Sequence, residues 1–318
     1  MTTSKAGASP DSDQADISNK GLYFLSNLGS FFRKKYKSVR DLNDAEFLSL
    51  FDIPSVNCHV DSRFNIKSTA ALVQHFHSRT REDWLQPPSW LNDLAFNTDN
   101  ATDDELLARA DQVLDLDLEW SGVPPELNQL GEIDWQKNIL QNREWLYRIN
   151  RHSWWPLLGH AYARSGDERY AKAFAQQFTA WVSDNDVTDA TEDTPHIWSN
   201  KQIALRLRVS WIPSFGMFYE SPYFNTSRKL MMLRSIFDQA RVLKKSTGSD
   251  SLLLNGGLVS AGITFPELRE AEHWRDTAIN RCRDYLRVDS SPENEGSDLR
   301  WSNNLLAFSD MELASDAC

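Results

Sequence analysis

The stretch NREWLYRINRHSWWPLLGHAYARSGDERYAKAFAQQFTAWV, residues 142–182, decides which fold this chain of 318 residues is expected to adopt. Its first apolar residues recur at the i, i+3, i+4, i+7 and i+8 spacing of an amphipathic helix. They are Trp154, Leu157, Leu158, Ala161 and Tyr162. Gly166 is predicted to end this helix, and Asp167 to cap a second one with Phe174 and Trp181 on its apolar side. The stretch therefore predicts a helical hairpin with a very short connection.

Helical spacing recurs in several further segments. They are residues 102–117, 203–211, 226–237, 252–263 and 266–278. We expect Thr226 or Ser227 to cap the third of them, and Pro213 to kink or end the second. Pro266 and Glu267 are expected to open the last. Because strand signals are sparse, the chain is predicted to be all-α, a toroid or solenoid of helical hairpins.

The character of the sequence changes along the chain in four parts. Residues 1–20 are polar and are predicted to form a disordered tail. Residues 21–100 form a mixed helical and irregular segment, interrupted by prolines. Residues 101–287 contain the run of helices, and residues 288–318 lose the helical periodicity.

The net charge and the short apolar runs argue against two classes of partner, nucleic acids and membranes. The formal net charge is -11 and the isoelectric point is about 5.1, so binding to nucleic acid would need a local basic patch. No apolar run approaches the roughly 18 residues that a membrane span needs. The first 20 residues lack the apolar core of a signal peptide, so the sequence alone predicts a cytoplasmic protein that binds neither nucleic acid nor membrane.

Metal and cofactor motifs are not found in the sequence. Cys58, Cys282 and Cys318 lack metal-ligand spacing, and the seven histidines do not cluster. No glycine-rich phosphate loop or HExxH motif is present. We therefore predict no metal and no cofactor.

Four aromatic-rich blocks point to a known family. They are residues 131–138 (GEIDWQKN), 142–182, 205–224 (LRLRVSWIPSFGMFYESPYF) and 257–275 (GLVSAGITFPELREAEHWR). Together they resemble the N-terminal domain of heparinase II/III-like polysaccharide lyases, with the blocks in family order between about residues 85 and 287. The resemblance implies an incomplete α/α toroid. In the family a β-sandwich follows the toroid, the active site lies between the two, and the proteins are usually periplasmic or secreted. Because this chain ends without a β-sandwich, it is expected to be truncated.

The resemblance also implies a reaction, β-elimination in an acidic polysaccharide that contains uronate. The uronate carboxylate must be neutralised by hydrogen-bond donors before its neighbouring C5 proton can be removed. A His or Tyr must reach that proton as the base. Arginine suits the carboxylates and sulfates of such a chain because its guanidinium is a planar fork.

The family's cleft-lining cluster resembles one short block of this sequence. The predicted substrate-binding residues of this block are Asn142, Arg143, Asn150, Arg151 and His152. A structural alternative is that the arginines bond internally and that His152 caps a helix. Arg206, on a helix that reads as buried, is expected either to face the cleft or to form an internal salt bridge.

Several tryptophans could stack on a sugar, because a flat amphipathic ring suits a pyranose face. Trp135, Trp145 and Trp155 are the predicted stacking residues. Trp154, Trp181 and Trp274 lie on apolar stripes and are predicted to be core.

The catalytic position departs from the family. The family has an Asn, often followed by His or Trp, eight residues before the glycine that matches Gly257, and this Asn neutralises the uronate carboxylate. Here the two positions hold Ser249 and Asp250. Serine is a weaker partner for a carboxylate, and aspartate would repel it. Near the position of the family's catalytic Tyr stand Leu305 and Leu306, so impaired catalysis is expected.

Three functions remain open on the sequence alone. The first is a lyase acting on uronate-containing polysaccharide. The second is an impaired, truncated homologue that binds glycan or serves as a scaffold, which the residues at 249 and 250 favour. The third is a helical-repeat protein that grips a peptide. An incomplete toroid would expose apolar surface, so self-association is also expected.

Overall fold

The structure, a computed structural model, describes seven parts of the chain. They are residues 38–52, 68–79, 84, 101–118, 123–187, 196–246 and 252–289. All of them belong to one compact unit that begins at Ser38. The predictions for residues 1–20 and 288–318, apart from the last two residues of the final helix, lie outside the described residues.

The described residues are helical. In chain order the helices are α1 (Asp44–Leu48), α2 (Thr69–His77), α3 (Asp103–Leu114), α4 (Arg143–Ile149), α5 (Trp155–Ser165), α6 (Glu168–Asp184), α7 (Asn200–Leu205), α8 (Ile212–Met217), α9 (Thr226–Lys245), α10 (Leu252–Thr264) and α11 (Ala271–Asp289). Short 3-10 turns lie at Val39–Asp41 and His196–Trp198, and a π-helical segment, Arg206–Trp211, joins α7 to α8. Two isolated β-bridges are the only strand-like pairings among these residues. The all-α prediction is confirmed.

The predicted hairpin is helices α5 and α6. Gly166 ends α5 in the left-handed conformation, with φ of 69°, and its N–H donates to the carbonyl of Tyr162 at 2.8 Å. Asp167 accepts from the backbone N–H of Arg169 at 2.9 Å and so caps α6. Phe174 and Trp181 are fully buried on the inner side of α6. Both predicted boundaries are confirmed, because each depends on neighbouring residues only.

Two other predicted boundaries are wrong. Asn225, rather than Thr226 or Ser227, caps α9, since its side-chain oxygen accepts from the N–H of Arg228 at 3.1 Å. Pro266 and Glu267 do not open a helix, because α11 begins only at Ala271. The Glu267 side chain is instead drawn into a buried contact with α2.

Pro213 does not end the helix that contains it. The chain runs from α7 through the π-helical segment and directly into α8, where Pro213 occupies the first turn. Because the helix is continuous, the proline removes one interior hydrogen bond. The π-helical turn directly before it, in which the N–H of Ile212 donates to the carbonyl of Leu207, is the local irregularity that accompanies the proline, in keeping with the predicted kink rather than the predicted end. In the π-helical segment, Ser210 Oγ donates to the carbonyl of Arg151 at 2.6 Å, which ties the segment to the region after α4.

Helix α10 lies at the centre of the helical layers. It packs against α7, α9 and α11. At Gly257 the approach to α7 is so close that a Cβ atom would lie 2.6 Å from the Cα of Ala204. Glycine is therefore required at this crossing of two backbones.

Two described segments that precede α3, residues 38–52 and 68–79, pack onto this helical core. The carboxylate of Asp238 on α9 accepts from Ser38 Oγ at 2.5 Å and from the N–H of Val39 at 2.7 Å. The N–H of Asp52 donates to the carbonyl of Glu267 at 2.7 Å. His75 Nε2 lies 2.7 Å from Glu267 Oε1, and both side chains are buried. None of the helices described above is long and apolar enough to cross a membrane.

Candidate substrate-binding site

The start of α4 places two of the predicted binding residues on the surface. Asn142 caps the helix, and its side-chain oxygen accepts from the N–H of Glu144 at 2.9 Å. Arg143, the first residue of the helix, is exposed. Arg143 is thus available to an anionic ligand, whereas the amide of Asn142 already serves the helix end.

Arg151 lies beneath this surface. Its Nε donates to Gln202 on α7 at 2.7 Å, and its Nη1 lies 3.1 Å from Glu144 Oε1. Burial lowers the pKa of Arg151, and the nearby Glu144 carboxylate partly opposes that shift. The structural alternative foreseen for the arginines is therefore observed for Arg151, which links α4 to α7.

Asn150 is fully buried and has all of its polar atoms paired. Its Nδ2 donates to the carbonyls of Trp135 and Leu146, each at 3.0 Å. Its Oδ1 accepts from Trp181 Nε1 at 2.8 Å. A buried amide satisfied in this way fixes the chain at the end of α4 and has no free donor for a ligand.

His152 is fully buried in an aromatic environment. Its backbone is left-handed, with φ of 58°, and its ring stacks on Trp155 with centroids 4.1 Å apart. Nδ1 accepts a hydrogen bond from Trp211 Nε1 at 3.1 Å, whereas Nε2 has no hydrogen-bond partner among the described residues. Burial first, and then the charge of Arg206, lower the pKa of His152 well below 6.5. The ring is therefore neutral at pH 7.

Arg206 is also fully buried. Its guanidinium donates hydrogen bonds to oxygen atoms, none of which belongs to a carboxylate. Its Nε donates to Gln239 Oε1 at 2.8 Å. Its Nη1 donates to the carbonyls of Asn150 and Ile197 at 3.2 and 3.0 Å. Burial lowers the pKa of Arg206 to about 9, so the side chain remains charged at pH 7. Of the two predicted roles, neither an internal salt bridge nor a cleft-facing guanidinium describes Arg206 in this conformation.

The three predicted stacking residues lie inside the protein. Trp135, Trp145 and Trp155 are all at most 2% exposed. No face of these rings is open to a sugar in this conformation, because neighbouring side chains cover them. Trp155 supports His152 instead, and Trp135 contacts the same ring edge to face.

The predicted catalytic residues Ser249 and Asp250 lie outside the described residues, as do Leu305 and Leu306. The residue before this segment is described. Ser246 Oγ accepts from Asn200 Nδ2 at 2.6 Å.

The first turn of α7 contacts both Ser246 and Arg151. Asn200 bonds to Ser246, three residues before Ser249, and Gln202 bonds to Arg151, which pairs with Glu144 beside Arg143. Two exposed lysines lie next to these contacts. They are Lys201 and Lys245. Lys201 belongs to the same turn of α7, Lys245 precedes Ser246 at the end of α9, and Arg143 precedes Glu144 at the start of α4.

The sequence analysis did not single out Asn200, Lys201 or Gln202. The signal for them was a run of polar residues at the start of an otherwise apolar helix. Such a run usually marks only a helix end. In the parts of the chain that the structure describes, no group of three or more His, Cys, Asp or Glu side chains is placed to hold a metal ion.

Comparison with known proteins identifies the family. Residues 47–289 match the family model described as Heparinase II/III N-terminus, and the chain belongs to this family of polysaccharide lyases. It is similar to the heparin-sulfate lyase of Pedobacter heparinus, with 27% identity over 152 residues that cover 47% of this chain and 23% of that protein. The heparin-sulfate lyase of Bacteroides stercoris is 26% identical over 178 residues, which cover 50% of this chain and 27% of that protein.

Solved structures confirm the toroid fold. A heparinase III with methylated lysines superimposes with a TM-score of 0.62 at 21% identity, covering 86% of this chain and 45% of that one. A heparan sulfate lyase from Pedobacter heparinus gives 0.58 at 22% identity, covering 70% and 35%. The chain therefore has the helical toroid of these enzymes and spans less than half of their length.

Proposed function

We propose that this chain binds an acidic polysaccharide containing uronate, of the heparan sulfate kind, at the end of α7. The observation that supports the proposal is the hydrogen-bonded link from Ser246 through α7 to Glu144, because Ser246 lies three residues before Ser249 in the sequence and Glu144 follows Arg143. The two relatives that act on heparin-sulfate by name, and the family match, supply the substrate class.

The charges at this end of α7 suit a polyanion. Arg143, Lys201 and Lys245 are exposed, and carboxylates or sulfates of a glycan repeat regularly along its length. Arginine can hold such a group with two parallel hydrogen bonds. The buried Arg151 bonds to Gln202, next to Lys201, and to Glu144, next to Arg143, and so links α7 to α4 beneath these residues. Binding at such a surface is expected to weaken with added salt.

A second candidate is lyase activity by β-elimination. The family fold supports it, whereas Ser249 and Asp250 oppose it. A serine hydroxyl neutralises a uronate carboxylate less well than an amide, and an adjacent aspartate repels it. The glycan-binding function is therefore placed first, and elimination second.

Binding is tested by calorimetry of the folded chain with heparan sulfate, and with uncharged dextran as the control glycan. Arg143→Met is expected to weaken binding about fivefold, which corresponds to about 1 kcal/mol for one exposed charge contact. The matched control is Arg283→Met, which removes an exposed arginine from α11. The proposed surface would be contradicted if the two variants bound heparan sulfate with equal affinity. It would also be contradicted if the unaltered chain bound dextran as tightly as heparan sulfate.

Elimination is tested on the same samples by the ultraviolet absorbance of the unsaturated uronate product. Heparan sulfate, heparosan, hyaluronan and alginate serve as substrates. We expect no absorbance rise from the unaltered chain. The same assay is run on the double variant Ser249→Asn with Asp250→His, which restores the family residues at these two positions. A rise from the unaltered chain would put lyase activity first.

A further inference from the structure

A surface pocket that includes none of the predicted site residues lies between α3, α6 and the turn at residues 126–134. Its volume is about 440 Å³. The apolar part of its lining consists mainly of four leucines and an isoleucine. They are Leu114, Leu116, Leu127, Leu130 and Ile133. The rest of the lining is polar and includes Gln176, Gln177 and Thr179 of α6. A pocket of this size with a mixed lining can hold an apolar side chain flanked by polar groups.

The turn beside the pocket presents a leucine to solvent in a fixed position. Asn128 Oδ1 accepts from the N–H of Leu130 at 2.9 Å and from the N–H of Glu132 at 3.0 Å. Gly131 adopts φ of 77°, and the N–H of Asn128 donates to the carbonyl of Glu132 at 2.7 Å. Leu130 is nevertheless 82% exposed, and its neighbour Leu127 is 51% exposed. An ordered turn that holds apolar side chains in water is typical of a contact surface.

The two sides of the pocket carry opposite charges. Glu132 lines it from the turn, and Arg228 lines it from the first turn of α9. The surface therefore carries a protruding leucine, a partly apolar pocket, one negative and one positive side chain. Across a two-fold axis, such a surface can be complementary to the same surface of a second copy.

We propose that this pocket is a two-fold interface between two copies of the chain. Leu130 of each copy enters the pocket of the other, and Glu132 of each copy faces Arg228 of the other. The apolar lining and the two leucines are thereby removed from water in both copies. The pairing does not depend on the glycan-binding function.

The first test is sedimentation velocity of the full chain over a range of concentrations. The unaltered chain is expected to dimerise, and Leu130→Asp to raise the dissociation constant by about tenfold or more, as a central apolar contact would. The matched control is Leu140→Asp, which alters an exposed leucine that does not line the pocket. A monomeric unaltered chain, or a Leu130→Asp dimer as tight as the Leu140→Asp dimer, overturns the proposal.

The second test exchanges the charges. Glu132→Arg and Arg228→Glu are each expected to weaken the dimer, because each places like charges opposite one another at both contacts. A mixture of the two single variants restores both opposite-charge contacts and is expected to form a mixed dimer. The double variant is also expected to dimerise. If neither the mixture nor the double variant recovers pairing, the two-fold arrangement is wrong.

Discussion

Arg206 is buried and Arg143 is exposed, so their replacement should affect the free energy of unfolding to different extents. Arg206→Met leaves the carbonyls of Asn150 and Ile197 without their buried donor. We expect a loss of about 1–3 kcal/mol in the free energy of unfolding, measured in urea. Arg143→Met alters an exposed side chain and should change stability by less than about 0.5 kcal/mol. Equal stabilities of the two variants would show that the buried guanidinium does not anchor this region.

The buried neutral His152 should make the protein sensitive to mild acid. Its pKa is lowered by burial and by Arg206, so below the ordinary value of 6.5 the unfolded chain binds a proton that the folded chain does not. Stability therefore falls as the pH decreases from 6.5, by up to about 1.4 kcal/mol per pH unit. His152→Asn keeps an acceptor for Trp211 and tolerates the left-handed backbone.

The measurement is the free energy of unfolding of both proteins from pH 8 to pH 5. Above pH 7 the two curves should run parallel, because neither state is protonated at this position. Between pH 6.5 and 5 the unaltered protein should lose stability more steeply than His152→Asn. Equal slopes in the acid range would mean that the imidazole gains its proton while still folded.

At the scale of elements, the position of α10 depends on Gly257. Gly257→Ala would drive a methyl group into the backbone of Ala204, and the expected loss is about 1–3 kcal/mol because two helices must separate. Gly159→Ala is the matched control. Its methyl group would approach Sδ and Cβ of Met217 to 2.6 and 2.9 Å rather than a backbone. A smaller loss is therefore expected, partly offset by the preference of alanine for a helix, about 1 kcal/mol. Thermal unfolding should separate the two variants clearly; similar melting temperatures would contradict the close crossing.

Elements defined by neighbouring residues could be predicted from the sequence, and those defined by distant contacts could not. The hairpin of α5 and α6 followed from Gly166 and Asp167, which act within one turn of the chain. The start of α11 was predicted at Pro266, where a proline and an acid resemble a helix start. Glu267 instead meets His75, 192 residues away in the sequence. No local pattern contains that pairing.

The same limit applies to the candidate site. The block from Asn142 to His152 could be selected from the sequence because its residue types resemble the family's cleft. Their depth could not be predicted, since burial of Asn150 and His152 depends on Trp181 and Trp211 from other helices. Whether any of these residues contacts a substrate stays a prediction.

At the scale of the whole molecule, a buried cluster joins residues 68–79 to the later helices. Glu267 accepts from His75 and Arg79, and the guanidinium of Arg79 also lies over the rings of Phe76 and Trp84. Burial acts to raise the pKa of Glu267, but the bonds from His75 and Arg79 outweigh it and lower the pKa overall. The carboxylate is therefore ionised at pH 7, and its stabilising effect is lost only as the pH falls below 4.5.

Glu267→Gln should weaken this junction at pH 7, because it leaves a buried imidazole and a guanidinium without their anion. We expect a loss of about 3 kcal/mol. If the segments on both sides of the junction form one cooperative unit, far-ultraviolet circular dichroism and tryptophan fluorescence will shift together in urea. Two separate transitions would instead mean that residues 38–79 unfold independently of the later helices. At pH 3 the difference between Glu267→Gln and the unaltered chain should shrink, since protonation removes the same negative charge.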